Sequence, residues 1–294
     1  MLEAVPNVSE GREPGVVGAI ADAFAARAVL LDVHSDPDHN RSVFTLAGVD
    51  DELVEALLAG IAVAVELVDL RDHAGVHPRV GVADVVPLVP LASEEMPRAI
   101  AAARTLARRI GTELGLPVFR YGEIGGGRRP VFFRRGGLDE LRRRVESGEL
   151  VPDDGPRRID PSSGAVLVGA RPILVAYNVD VATADVGVAR DVAAAVRESG
   201  RGRPGVQAIG LELPGSGRVQ VSINVIDVEH APLHEVVQRV RDEAAARGVA
   251  VRGGELVGLV PASVLGAAAD AGADIPDVDE SRVLENVLRS RLAE

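Results

Sequence analysis

Twice along this chain the apolar pattern reads strand, helix, strand, strand, helix, strand, and that repeated order constrains the fold more than any other feature. In the first half, strands are expected over residues 2–6, 28–33, 42–48 and 82–91. A helix starts at Pro14, where a first turn tolerates proline, and carries Val16, Val17, Ile20 and Phe24 on one face. A second helix, capped by Asp50 or Asp51, runs to about Val68. An additional helix over 94–114, capped by Ser93, and a strand over 116–121 extend this half. In the second half the strands fall at 172–179, 206–213, 217–226 and 249–252, and the helices at 183–197 and 232–247. Residues 260–294 add one or two terminal helices.

This order is that of the ferredoxin-like sandwich, in which helices cover one face of an antiparallel sheet. The expected fold is therefore α+β, two tandem ferredoxin-like sandwiches with antiparallel sheets, over 1–171 and 172–294. Residues 122–161 carry a weaker pattern, a loop at Gly125-Gly126-Gly127 and a short arginine-rich helix over 138–147, and are read as the connection between the sandwiches. In the strand over 217–226, Gln220, Ser222 and Asn224 alternate with Val219, Val221, Ile223 and Val225. Period-two geometry puts the neutral polar groups on one face and the aliphatics on the other, as a sheet face lining a ligand cavity would have them.

Several chemistries are excluded by what the chain lacks. There is no cysteine, so disulfides and thiolate catalysis are absent. All 32 basic residues are arginine, which removes Schiff-base chemistry and a phosphate-loop lysine, and leaves anions to arginine or backbone amides. The net charge of -12 and 2% aromatic content argue against nucleic acid as a partner. No apolar run reaches membrane-spanning length and the N-terminus has no basic, then apolar leader, so a cytoplasmic protein with no membrane partner is expected.

Reactive side chains concentrate at residues 72–84, Asp72-His73-Ala74-Gly75-Val76-His77-Pro78-Arg79-Val80-Gly81-Val82-Ala83-Asp84, at the junction between a helix and a strand. Pro78 keeps His77 out of the helical region, and the glycines allow angles or close approaches denied to other residues. Histidine titrates near neutrality and Arg79 is a permanent cation, so a proton shuttle beside an anion clamp is the functional reading. His34, Asp36, Asp38 and His39 could form a metal set, but an Asx-type turn at 36–38 and capping at Asn40 account for the same residues. His73 and His77 are four apart, yet Gly75 and Pro78 oppose the helix that zinc sharing at that spacing needs. No metal site is expected.

The chain resembles the formiminotransferase family. The resemblance rests on Val5-Pro6-Asn7 with Ser9-Glu10-Gly11, Asn40-Arg41-Ser42, His73 with Gly75 and His77-Pro78-Arg79, Gly81 with Asp84-Val85, Gly164 followed by Gly169-Ala170-Arg171, Val175-Ala176-Tyr177-Asn178, Gln220-Val221-Ser222 with Asn224, and residues 255–261. Residues 122–135 depart from the family's pattern. The resemblance implies a tunnel enclosed by two ferredoxin-like subdomains, a homodimer, and transfer of the formimino group of N-formimino-L-glutamate to tetrahydrofolate as co-substrate. It places His77 on the family's catalytic histidine. Residues 160–171, with Asp160, Pro161, Ser162, Ser163, Gly164, Gly169, Ala170 and Arg171, fall on its folate-binding stretch. Asn7, Asn40 and Asn178 stand in shared motifs and are expected at the substrate or folate site.

The chemistry of such a transfer suits these residues. A weakly basic nitrogen attacks an amidine carbon and the glutamate nitrogen leaves protonated, so one group that accepts and then donates a proton serves both steps. Both substrates are polyanions, and Arg41, Arg79 and Arg171 are the expected contacts. Gln220, Ser222 and Asn224 could read the pterin or the amidine. Two other activities fit the residues: formyl transfer between 5-formyltetrahydrofolate and glutamate, and metal-dependent hydrolysis of formiminoglutamate at the 34–39 cluster.

Overall fold

Pro6 splits the first expected strand into β1 (Leu2–Ala4) and β2 (Asn7–Val8), because its nitrogen cannot donate to the ladder. This is seen in the computed structural model, which describes residues 1–293. The chain divides into two compact units, Met1–Pro172 and Ile173–Glu294. The first continues with α1 (Pro14–Ala25), β3 (Val29–Asp36), β4 (Arg41–Gly48), α2 (Asp50–Leu67), β5 (Ala83–Pro90), α3 (Met96–Glu113), β6 (Val118–Gly122), α4 (Pro130–Arg134), α5 (Gly137–Glu146) and β7 (Val166–Ala170). Asp50, Asp51 and Glu52 occupy the first turn of α2, where they favour the helix dipole, while Val49 holds the cap position.

Seven strands form one sheet in the first unit. β1 and β2 both lie between β4 and β5, β3 pairs on the far side of β4, and β7 and β6 extend the β5 edge. The expectation of an antiparallel sheet is corrected here, since β5–β7 and β7–β6 are parallel pairs. Parallel neighbours need a crossover, and α3 after β5 and the α4–α5 segment after β6 supply the connecting chain.

A core built from Leu2, Ile20, Phe24, Phe44, Leu57, Leu88 and Leu106 joins α1, α2 and α3 to the sheet. A second apolar layer joins Val85, Phe119, Tyr121 and Leu167 of the strands to Phe133, Leu141 and Val145 of α4 and α5. The Phe119 and Phe133 rings stand 5.2 Å apart. Residues 122–161 are therefore not the connection between sandwiches that the sequence suggested. They run between β6 and β7 inside the first unit, because the apolar residues of α4 and α5 are buried against its strands.

The second unit contains β8 (Val175–Val181), α6 (Val186–Val196), β9 (Val206–Leu213), β10 (Arg218–Val225), α7 (Leu233–Ala245), β11 (Val251–Val257), α8 (Ala262–Asp270) and α9 (Leu284–Ala293). Its four strands are ordered β11-β8-β10-β9, all antiparallel. Val179, Val221 and Ile223 bury one sheet face with Val192, Val236 and Val240 of the helices. β11 is longer than expected, since Gly253 and Gly254 obscure a strand that resumes its register after a bulge between Val251 and Gly253.

Candidate active site

The segment 73–82 enters β5 from a 3-10 turn at Leu70–Asp72, and the β3–β4 turn lies against it. In that turn the Asp36 carboxylate accepts the His39 amide at 2.8 Å, an Asx-type arrangement. Asn40 adopts a left-handed φ of 46°, which asparagine tolerates better than most residues. Its side chain accepts the Gly11 amide at 3.0 Å and donates to the Ala74 carbonyl at 3.1 Å, while its own carbonyl meets His73 Nε2 at 3.0 Å. One residue thus ties three segments together. The fit is close: a Cβ on Gly75 would lie 2.3 Å from the His39 carbonyl oxygen, and one on Gly81 2.0 Å from that of Ala165. Close approach, rather than a positive φ, is what requires these two glycines.

Arg79 is occupied within its own loop. Its Nη2 donates to the carbonyls of Gly75 at 2.6 Å and His77 at 3.1 Å, and its Nη1 meets His73 Nδ1. A guanidinium only donates, so His73 Nδ1 accepts, and Nε2 carries the hydrogen given to Asn40. Burial first, and Arg79 second, hold His73 below the ordinary imidazole range.

His77 is held differently. Its half-buried ring donates from Nδ1 to the Pro78 carbonyl at 2.8 Å, which leaves Nε2 as the basic nitrogen. The buried ring of His39 lies 5.7 Å away, tilted by 36°. Burial, followed by the cations Arg41 and Arg134 and by His39, pushes His77 well below the usual value. At neutral pH His77 is therefore a neutral base.

Those cations surround Asp84, which is fully buried. Its carboxylate accepts the Val80 amide at 2.8 Å, Arg41 Nη1 at 2.8 Å and Arg134 Nη2. Burial alone would raise its pKa, but Arg134, Arg41 and these hydrogen bonds outweigh it and hold the group below the ordinary carboxylate range. Arg41 also donates from Nε and Nη2 to Asn7 Oδ1, at 3.0 and 2.7 Å, and Asn7 is fixed by donating to the Val5 carbonyl at 2.7 Å. Burial lowers Arg41 to about 10, which still leaves it charged at neutral pH. Two guanidiniums face one carboxylate, so the cluster carries one excess positive charge beside His77.

The remaining sequence-marked residues divide into three places. Asp160 starts a turn in which its carboxylate accepts the amide and hydroxyl of Ser162 at 2.8 and 2.6 Å, and its carbonyl accepts the Gly164 amide at 2.8 Å, with Pro161 and Ser163 between them. This turn lies against the histidine loop, since Leu70 donates to the Ser162 carbonyl at 2.8 Å and Val82 to that of Ser163 at 2.9 Å. Gly169 and Ala170 are instead buried in β7, between β5 and β6, and Arg171 follows with Nη1 donating to the Pro172 carbonyl at 2.9 Å. In the second unit, Asn178, Gln220, Ser222 and Asn224 share the sheet face opposite the aliphatic core; Ser222 and Glu255 flank Asn178 across the strands, and Gln220 donates to Asp180 at 3.2 Å.

Two residues of the first-unit site, Arg134 and Tyr121, were not singled out by sequence reasoning. Asp84 was marked within the 72–84 stretch and a shared motif, but was given no role there. Arg134 follows Phe132-Phe133 in a segment whose helix was too short to recognise. Tyr121 lies one residue before the end of β6, and burial pushes its phenol up to about 12; the guanidinium of Arg171 opposes the shift, by charge and by its approach to the hydroxyl, which makes no bond of full hydrogen-bond geometry among the described residues. Nor, among the described residues, do three His, Asp or Glu side chains converge in a way that could hold a metal, including those at 34–39.

Comparison with known proteins gives the family. The model of the formiminotransferase domain, N-terminal subdomain, matches residues 1–171, and that of the formiminotransferase domain matches 176–276. A glutamate formimidoyltransferase of Thermoplasma acidophilum is 36% identical over 97% of this chain and 96% of that protein. One from Streptococcus pyogenes serotype M1 is 36% identical over 98% of each. The rat formimidoyltransferase-cyclodeaminase is 38% identical over 99% of this chain, which spans 55% of its length. With both family models in sequence and similarity running nearly end to end, the chain belongs to the formiminotransferase family.

Proposed function

We propose that this protein is a glutamate formimidoyltransferase, moving the formimino group of N-formimino-L-glutamate to tetrahydrofolate and releasing 5-formiminotetrahydrofolate and L-glutamate. The observation that carries the assignment is the near full-length similarity to two proteins of that name, which extends through the His77 loop. His77 is the general base and then the general acid. As the folate N5 bonds to the amidine carbon, Nε2 takes the proton that N5 loses; it then gives that proton to the glutamate nitrogen as the carbon–nitrogen bond breaks and the C=N bond to the remaining nitrogen re-forms. A histidine below its ordinary pKa suits this sequence, because it starts neutral and surrenders the captured proton readily.

In this reading Arg41 and Asn7 contact the donor side. Arg79, whose guanidinium is spent on the loop, holds His77 in place rather than meeting a carboxylate. Asn40 acts through the same loop. The turn at Asp160–Gly164, with Arg171, serves the folate, and the neutral face of Asn178, Gln220, Ser222 and Asn224 offers donors and acceptors that a pterin ring can use. The units themselves are proposed to be two ferredoxin-like subdomains, over 1–171 and 172–294. The order β5-β1-β4-β3 in the first, before β7 and β6 are added, and β11-β8-β10-β9 in the second support that reading. A cytoplasmic homodimer is the proposed working form.

The test follows glutamate and folate products when purified protein meets N-formimino-L-glutamate with and without tetrahydrofolate. Glutamate released in step with 5-formiminotetrahydrofolate is expected. Equal release without the folate would make the protein a hydrolase and overturn the assignment.

A further inference from the structure

We propose that Arg134 and the Tyr121 hydroxyl, together with Arg41, form a carboxylate-binding subsite beside Asp84 that seats a carboxylate of the amino-acid donor. This rests on the reaction proposed above and adds the recognition of its donor.

Charge is the first support. Arg41 and Arg134 are both ion-paired to the single buried carboxylate of Asp84, with side chains only 9% and 15% exposed. Two cations on one anion leave an uncompensated positive charge away from bulk water, which is costly until an anion arrives. Arg79 lies in the same field and Arg171 acts on Tyr121, so cations outnumber the one carboxylate and an entering carboxylate offsets part of the surplus.

Unused hydrogen-bonding capacity is the second. Arg134 Nε is buried and makes no hydrogen bond among the described residues, while the Tyr121 hydroxyl has Arg171 as its polar neighbour but makes no bond of full hydrogen-bond geometry among those residues. Tyr121 and Phe133 pack in one apolar layer, so the hydroxyl and the guanidinium one residue beyond Phe133 border the same region, and Tyr121 senses the field of Arg171 and then of Arg134. Buried donors are ordinarily satisfied, and a guanidinium Nε left without a partner near a phenol whose proton is still to be given describes a socket for a two-oxygen anion. Tyr121 stays protonated at neutral pH and so donates.

Chemistry then selects the donor. The α-carboxylate of N-formimino-L-glutamate is attached to the carbon bearing the departing nitrogen, which must meet the proton on His77, and both arginines act on His77. The carboxylates of the folate tail are separated from N5 by the aromatic spacer.

The test measures binding of L-glutamate by calorimetry, and KM for donor and tetrahydrofolate, in wild type, Arg134→Gln, Arg134→Lys and Tyr121→Phe. Arg134→Gln should weaken glutamate binding and raise the donor KM by about tenfold to a hundredfold, with the tetrahydrofolate KM within about threefold. Arg134→Lys should recover part of the loss. Tyr121→Phe should weaken donor binding by about tenfold with Tm little changed, since the hydroxyl makes no bond of full hydrogen-bond geometry within the fold. A tetrahydrofolate KM that rises instead would assign the socket to the folate tail. Lower Tm with unchanged donor KM and glutamate affinity would make Arg134 structural; either result overturns the proposal. Wild-type protein that binds glutamate through Arg134 yet transfers no formimino group would sink the reaction and leave the subsite standing.

Discussion

His73 and His77 carry the same ring four residues apart, and their neighbours give them opposite work. His73 uses both nitrogens inside the loop, on Asn40 and Arg79, so no lone pair is left for chemistry. His77 uses only Nδ1, on a carbonyl. Replacing His77 with Ala should cost on the order of 10²–10⁴ in kcat with tetrahydrofolate affinity little changed. Since a neutral imidazole is required and its pKa lies below the ordinary value of about 6.5, the wild-type rate should fall only at more acidic pH than that, and the variant should lose this limb. The same shifts act on stability. Both histidines have folded-state values below their unfolded ones, so unfolding takes up protons once pH falls under about 6.5, and stability present above that pH declines toward the folded-state values. The slope is at most about 1.4 kcal/mol per pH unit for each proton and less where solvent screens the ring. Asp84, with its folded-state pKa also depressed, loses its contribution only below the carboxylate value of about 3.9. Thermal unfolding of wild type and His73→Asn between pH 7.5 and 5.5 separates these windows; identical slopes in the two proteins would show that His73 does not titrate as described.

At the scale of elements, the site depends on a short turn that holds a long loop. Asn40 combines a left-handed backbone with side-chain bonds to Gly11 and Ala74. Asn40→Gly keeps the backbone option and removes both bonds, and is expected to lower stability by about 1–3 kcal/mol and to reduce kcat as His77 loses its position. Unchanged kcat in a folded Asn40→Gly protein would show that the loop stands without this tie. The sequence made much of this readable. The long helices and the alternating strand β10 follow their apolar periods, and the glycines at 75 and 81 correctly marked close approaches. Other parts carried no period to read. β3 runs three residues past its expected end because His34, Ser35 and Asp36 are polar residues on an edge strand. β7 is five residues of apolar chain after a glycine turn, and α4 is five residues around Phe133; both are fixed by contacts distant in sequence. Arg134, the residue that most changes the charge of the site, was hidden with α4. That Arg79 spends its guanidinium on its own loop was equally hidden, since no pattern of residues shows whether a cation is already engaged.

For the whole molecule, the net charge of -12 opposes anionic substrates at long range, and attraction must come from local arginine clusters. The cluster at Asp84 is assembled within the first unit. Asn7, Arg41, His77, Asp84, Tyr121 and Arg134 all belong to Met1–Pro172, as do both apolar layers that support them, while the third core lies wholly within Ile173–Glu294. Each unit has a core of its own and a size at which domains fold independently. Met1–Pro172 expressed alone should therefore unfold cooperatively. The charged groups that depress His77, Arg41 and Arg134 with His39 beside them, are all retained in it. Its His77 resonances, followed by nuclear magnetic resonance against pH and assigned with His77→Gln, should titrate below about 6.5, and Arg134→Gln in the same fragment should move the titration upward as one neighbouring cation is removed. A folded fragment in which His77 titrates at the ordinary value, unmoved by Arg134→Gln, would show that the electrostatic setting of this histidine is not built by the first unit.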